Sequence, residues 1–458
     1  MDLWSPLSIP GAAARDTPGT APGTPGTAPG TGSGSGAPAG RRYVTPSRGA
    51  RREVAGRILI VVENVAAFND HRLSKQIATL LQRGYYVHVV TRRHERNQRY
   101  RGHPLVRLFE YPPPPEPGSL PGYLVEYGYS FLAAAFFSLR VALRERIDVV
   151  QFCEPPDVYF PLARMLRRLG VRVVVDQRDL LTELYAARYG KVPRPLLAVL
   201  KHCERLSHKS ADHIIGVNEY YRRRLLATSG LPPDGVSVLW NGPELRRVAG
   251  ARSDPSLKRG RQYLCCWVGV MGRQDRVDLL VRSIHHVVRE LGREDCQFAI
   301  IGYGESLAEA QALARDLNLA EWVQFTGEIH EDDVFRYLAT ADLGLDASLQ
   351  ADVSPVKAME YMAFGLPVVA FDLPETRALC DGAAAYAAPG DVAAHARAID
   401  ALLGDPQRRR DLGRAGQARV RTELAWEHQA LTYARLIGKL CSSGTKARGR
   451  RRMPGRCP

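Results

Sequence analysis

At 458 residues, the chain is longer than a single hydrophobic core usually serves, so two domains plus tails is the expectation. Hydrophobic residues at 45% and charged residues at 24% are ordinary for a soluble globular protein and exclude global disorder. The net charge of +15 does not define a nucleic-acid binder. Residues 1–54 hold six Arg against three acids and residues 439–458 hold seven Lys or Arg with no acid, so +10 of the +15 sits at the two ends.

Such end runs read as solvated tails, and no basic aromatic strand or recognition-helix pattern lies between them, so no nucleic-acid partner is expected. Eight cysteines without a C-x-x-C pair fit reduced, buried thiols and a cytoplasmic setting. The opening residues lack a basic region followed by an apolar run, so no signal peptide is expected. The apolar stretch 131–139 stops at Arg140, well short of the roughly 20 residues of a spanning helix. It reads as a helix of the fold, with peripheral contact at the inner face of a membrane left open.

Residues 1–54, rich in Gly, Pro, Ala, Thr and Ser, cannot bury enough apolar surface to fold and read as a disordered tail. A β-rich run at 58–62 is followed by helically spaced Leu73, Ile77, Leu80 and Leu81, then Gly84 and a second apolar run at 86–90. That is a βαβ unit. After the proline stretch 112–115 comes a helix over 127–143, and further strands are expected at 147–152, 171–175, 213–217 and 236–239. These make residues 55–245 one Rossmann-like domain, with a polar linker at 246–261.

The pattern restarts with a strand at 263–268, a helical face of Val277, Leu280, Val281, Ile284, Val287, Val288 and Leu291, and strands at 298–301, 322–325, 343–345 and 367–371. Residues 262–423 therefore form a second Rossmann-like domain. A stripe of Trp426, Ala430, Tyr433, Ile437 and Leu440 marks a C-terminal helix over 424–440, ahead of a basic tail at 441–458. The fold class is α/β, with two doubly wound parallel sheets facing a cleft, where ligands of such sheets bind at the carboxyl ends of the strands.

The segment 352–371 is the richest in chemistry. Ser354 before Pro355 reads as an N-cap with proline in the first turn. The backbone N–H groups that follow Val356 would attract phosphate, and Lys357 adds a full charge in the same turn. Glu360, one turn on, can accept two hydrogen bonds from a ribose diol. Asp352, ahead of the helix, can hold sugar hydroxyls.

Asp352 and Glu360 have seven residues between them, and the run closes Glu360-Tyr-Met-Ala-Phe-Gly-Leu-Pro-Val-Val-Ala. This resembles the Glu-x7-Glu region of family 4 retaining glycosyltransferases of the GT-B fold, with Asp in the first acidic position. The resemblance covers roughly residues 57–438. Gly302 and Gly304 look like the family's Gly-x-Gly loop near the nucleotide, and Gly327 to Ile329 like the turn facing the base. The start of the first helix at Asp70, the turn Glu154-Pro-Pro-Asp157, and the run with Gln177, Arg178, Asp179 and Glu183 resemble first-domain loops on the acceptor side.

Two departures stand out. The family's usual Arg and Lys positions after the first strand of the second domain fall on Val270 and Asp275, leaving Arg273 or Arg276 to substitute. The His common in the first-domain loop is absent where the chain reads Gln177-Arg178.

The resemblance implies transfer of a sugar from a nucleoside-diphosphate sugar to an acceptor hydroxyl with retention of configuration. Lys357 and Arg273 would oppose the charge of the leaving diphosphate, and Asp179 or Glu183 would contact or deprotonate the acceptor. No D-x-D triplet and no zinc-ligand spacing occurs in the sequence, so metal-independent chemistry is expected, with the nucleotide sugar as co-substrate and no other cofactor. The acceptor is a saccharide, a lipid-linked molecule or a small molecule, as in polysaccharide biosynthesis. The alternatives are an epimerase or hydrolase of sugar nucleotides on the same scaffold, and a nonenzymatic binding protein that has lost the chemistry.

Overall fold

In the computed structural model, residues 54–63, 66–113, 120–183, 193–351 and 355–451 are described, and they belong to one compact unit. The first sheet has strands β1 (Arg57–Val62), β2 (Tyr86–Arg92), β3 (Val106–Tyr111), β4 (Val149–Glu154), β5 (Arg172–Gln177), β6 (His213–Gly216) and β7 (Val236–Val238). They run parallel in the order β3-β2-β1-β4-β5-β6-β7. The second has β8 (Tyr263–Val268), β9 (Cys296–Ile301), β10 (Val323–Gly327), β11 (Leu343–Asp346), β12 (Val368–Phe371) and β13 (Ala384–Ala387), in the order β10-β9-β8-β11-β12-β13. The strand order reverses between β1 and β4 in one sheet and between β8 and β11 in the other. Those two crevices are where open parallel sheets bind ligands.

Alternation along the strands divides each core into two faces. Ile58, Ile60 and Val62 of β1 pack with Leu73, Ile77 and Leu80 of α1 (His71–Gln82), and with Trp426, Tyr433 and Ile437 of the last helix. Leu59 and Val61 face α2 (Leu120–Arg144) and α3 (Phe160–Arg168) through Ala134, Val141, Leu162 and Leu166. The last helix thus starts beside the second domain and packs on the first. Trp426 donates to Thr79 Oγ1 at 3.2 Å and Tyr433 to Gln151 Oε1 at 2.7 Å.

Two strands go beyond the sequence reading. β3 is an edge strand reading Val-Arg-Leu-Phe-Glu-Tyr. β13, Ala-Ala-Tyr-Ala, is mostly alanine, which favours helix, and is drawn into the sheet by pairing with β12. The last helix spans Trp426–Arg451, past the expected end at Leu440, since the first proline beyond is Pro454.

Candidate active site

The second domain builds its site from four loops at the carboxyl ends of its strands. Leaving β8, residues 269–272 lie against the loop leaving β9, with Gly269 N donating to Ile301 O at 3.0 Å and Met271 N to Tyr303 O at 2.7 Å. This approach needs glycine. A Cβ on Gly302, at φ +133°, would stand 1.8 Å from Gly269 O, and one on Gly304, at φ +146°, 2.6 Å from Met271 N. Gly302 N also donates to Gly327 O at 3.2 Å. The Gly302, Gly304 and Gly327 segments therefore converge, with Ile329 half-buried beside them.

Helix Val356–Ala363 seats its first turn over the β8–β11 crevice because Tyr361 anchors it. The Tyr361 ring fills the space that Gly344 leaves on β11. Its hydroxyl accepts from Val268 N at 2.9 Å and donates to Leu345 O at 3.2 Å. Pro355 precedes its first turn, extended at φ −72°, ψ 93°. Ser354 and Asp352 lie outside the described residues.

Lys357 is buried over the Trp267 ring, with Nζ 4.7 Å from its centroid. Its ammonium donates to Asp275 Oδ1 at 3.0 Å and lies 3.6 Å from Asp346 Oδ1. Burial alone would lower its pKa, but the two carboxylates outweigh it and hold the group above the ordinary lysine value. Lys357 is thus a charged group already held by protein, not the open cation the sequence suggests. Arg276 is engaged by Asp278 through two contacts of 2.8 Å, while Arg273 is exposed at the start of the same turn.

Glu360 is half-buried. Burial pushes its carboxyl up to about 7, against the opposing pull of Lys75 on α1 and of Arg247. Lys75 donates to Gly242 O at 2.8 Å, and burial brings it down to about 8. Glu360 therefore meets charge from the first domain and from the segment joining the two.

On the first domain, Asp70 and Arg178 pair with each other, while Gln177 and Glu183 turn to other protein partners. Asp70 caps α1, accepting from Leu73 N at 2.8 Å, and its other oxygen takes Arg178 Nη1. Arg178 also reaches Asp176 Oδ2 at 3.4 Å, and Arg72 holds Asp176 at 2.8 Å.

Gln177 is fully buried, a correction to its expected place on the cleft. Its side chain lies on the face of β5 turned toward helix Arg194–Ser210, where it binds Asp157 at 3.1 Å and His208 at 3.1 Å. The 154–157 turn likewise directs its carboxylates inward. Glu154 and Asp157 are buried, Ser207 donates to Glu154 at 2.6 Å, and burial raises Asp157 to about 7. Glu183 pairs with Arg224 and accepts from Tyr220 at 3.3 Å, which ties it to helix Glu219–Ser229. Asp179 stays half-buried at the end of β5.

The sequence reading missed Asp346, Arg72 and Lys75 as site residues. An acid closing the apolar run Leu343-Gly-Leu-Asp346, at the carboxyl end of a parallel strand, was the available signal for the first. Nothing local marks Arg72, which meets Asp176 across 104 residues of chain.

Comparison with known proteins bears on this geometry. Residues 262–405 match the family profile described as Glycosyl transferases group 1, and residues 73–247 that of Glycosyltransferase Family 4. The chain is 28% identical over 293 residues to a GDP-mannose-dependent alpha-(1-6)-phosphatidylinositol monomannoside mannosyltransferase of Mycolicibacterium smegmatis, covering 60% of this chain and 72% of that one. In fold it is similar to the sucrose-phosphate synthase of Thermosynechococcus elongatus, with TM-score 0.68, 18% identity, and 85% of this chain and 100% of that one covered. It also resembles the Anabaena HepE protein in complex with UDP, with TM-score 0.63, 15% identity, and 84% and 100% covered.

Proposed function

This chain belongs to the family 4-type glycosyltransferases of the GT-B fold, and on that premise we propose that it moves a sugar from a nucleoside-diphosphate sugar to an acceptor hydroxyl with retention of configuration and without a metal. The observation that carries the reading is the ammonium of Lys357 at the β8–β11 crevice, beside a helix N-terminus and the glycine-held 302–304 loop. As the glycosidic C–O bond breaks, negative charge builds on the departing diphosphate. Lys357, the N–H groups of the first helical turn and Arg273 oppose that charge. Glu360 accepts from the ribose hydroxyls, and Asp179 is the first-domain group nearest in role to a base for the acceptor.

The acceptor we favour is lipid-linked. Val125, Tyr129, Leu132, Phe136 and Leu143 are 67%, 39%, 69%, 60% and 72% exposed along α2, and their spacing puts them on one stripe. Exposed Arg140 and Arg144 flank the stripe, with Arg164 and Arg168 exposed on neighbouring α3. No helix among the described residues is long and apolar enough to cross a membrane, so α2 would lie in the interface of an anionic lipid surface. The M. smegmatis relative is named for a phosphatidylinositol mannoside, which agrees with that choice.

The test is to incubate the protein with UDP- and GDP-sugars, with and without a phosphoinositide acceptor, and read the product's anomeric configuration by NMR. Acceptor-dependent transfer with retention supports the reading. Donor consumption that needs no acceptor would point instead to a hydrolase or epimerase.

A further inference from the structure

The second domain offers a diphosphate fewer free positive charges than its sequence lists. Lys357 carries one positive charge, and two carboxylates close on it, Asp275 at 3.0 Å and Asp346 at 3.6 Å. Asp346 is 3% exposed at the end of β11 and belongs to the floor of the crevice. Asp275 differs. Its side chain is 20% exposed and sits on the short turn Arg273–Asp275, which Gly272 opens and Arg276 closes in the left-handed region at φ 49°. One oxygen takes the ammonium, and the other accepts from Gly272 N at 3.3 Å.

An arriving diphosphate would therefore meet a carboxylate already bound to the group it needs. Opposite charges a few ångströms apart at a half-open site attract with energies of order several kcal/mol, and like charges repel comparably.

We propose that Asp275 is a built-in competitor for the donor's diphosphate: it holds Lys357 in the empty enzyme, yields it when the nucleotide enters, and takes it back to help expel the nucleoside-diphosphate product. The inference rests on the reading of Lys357 as the diphosphate's counter-charge. It assigns Asp275 a positioning role in donor affinity and product release, which often limits turnover in well-evolved enzymes. Trp267 supports the exchange. Its ring lies under the ammonium itself, with Nζ 4.7 Å from the centroid, so the charge keeps that contact while it changes partner.

The experiment titrates UDP and GDP calorimetrically into the full chain, its Asp275→Asn and Asp275→Ser variants, Lys357→Met, and the Lys357→Met/Asp275→Asn double variant, with folding checked by circular dichroism. Asp275→Asn keeps the shape of the turn and is expected to lower Kd about tenfold, because the ammonium no longer has to be taken from a carboxylate. Asp275→Ser should move it the same way. In steady state the Asn variant should show a lower KM together with a lower kcat, as product leaves more slowly.

In the Lys357→Met background most of the gain should vanish, because no ammonium remains to be released. Wild-type binding that Asp275→Asn leaves equal or weaker overturns the competitor while leaving the donor site standing. A gain that persists undiminished without Lys357 overturns it too, reducing Asp275 to simple repulsion. If no variant binds either nucleotide, the donor-site reading falls and the competitor falls with it.

Discussion

At the carboxyl end of the first sheet one carboxylate, Asp176, is enclosed by two guanidinium groups, those of Arg72 and Arg178. At the corresponding end of the second sheet one ammonium, that of Lys357, is enclosed by two carboxylates. In the first case a second acid, Asp70, balances the second arginine, and Asp176, Asp70 and Arg72 are all at most 6% exposed. The charges sum to zero and nothing is left to offer a ligand. In the second case the sum is one negative charge, and its most exposed member lies on a short turn at the crevice. A closed, neutral network fixes how α1 meets β5, whereas an unbalanced, half-open one marks a place where a partner is exchanged.

The largest expected effect is at Asp176. Asp176→Ala leaves Arg72 buried without its partner and should cost about 3–5 kcal/mol of stability, read as the urea unfolding free energy. The same network responds to acid. Burial alone would raise the Asp176 pKa, yet Arg72 and Arg178 outweigh it and hold the carboxyl below its ordinary value. Its stabilising contribution is therefore present above the ordinary carboxylate pKa and is lost as pH falls through the lower, folded value.

On the other side, Lys357→Met should lower turnover about 10²- to 10³-fold, the usual loss for an anion-stabilising group, with near-native circular dichroism. A fall in stability as large as that of Asp176→Ala, with turnover intact, would make the two networks alike.

A smaller effect sharpens the contrast at Glu360. Burial raises its carboxyl to about 7, so the fold favours the neutral form. That contribution is fully present below the ordinary carboxylate pKa and is lost as pH rises toward and through about 7. The urea midpoint of the wild type should fall between pH 5 and 7 relative to that of Glu360→Gln, and parallel curves would contradict this.

The smallest expected change lies away from both networks. Phe136→Glu and Leu132→Glu, on the exposed stripe of α2, should alter stability by no more than about 0.5 kcal/mol. They should nonetheless abolish sedimentation with anionic vesicles, and unchanged vesicle binding would remove α2 from the membrane.

Much of this architecture could be read from the sequence because strand and helix periods are local. The run 58–62, the α1 face of Leu73, Ile77 and Leu80, and the helix after Pro355 all occur as expected. The site was legible only in part, since its meaning lies in which charges converge. Lys357 stands out in its motif, but its partners come from residues 275 and 346, and neither proximity is written in spacing. Gln177 and Arg178 are adjacent, yet β-strand alternation sends one inward to His208 and the other to Asp70. A one-residue difference decides which face of β5 each of them serves.

Nucleotide binding at the β8–β11 crevice is the property on which the donor-site assignment depends. UDP and GDP would be titrated by calorimetry, without divalent metal, into the wild type, Lys357→Ala and Glu360→Ala. One of the two nucleotides should bind the wild type, and both substitutions should weaken it while the fold remains intact. Binding that survives both substitutions unchanged would place the donor elsewhere and contradict the assignment.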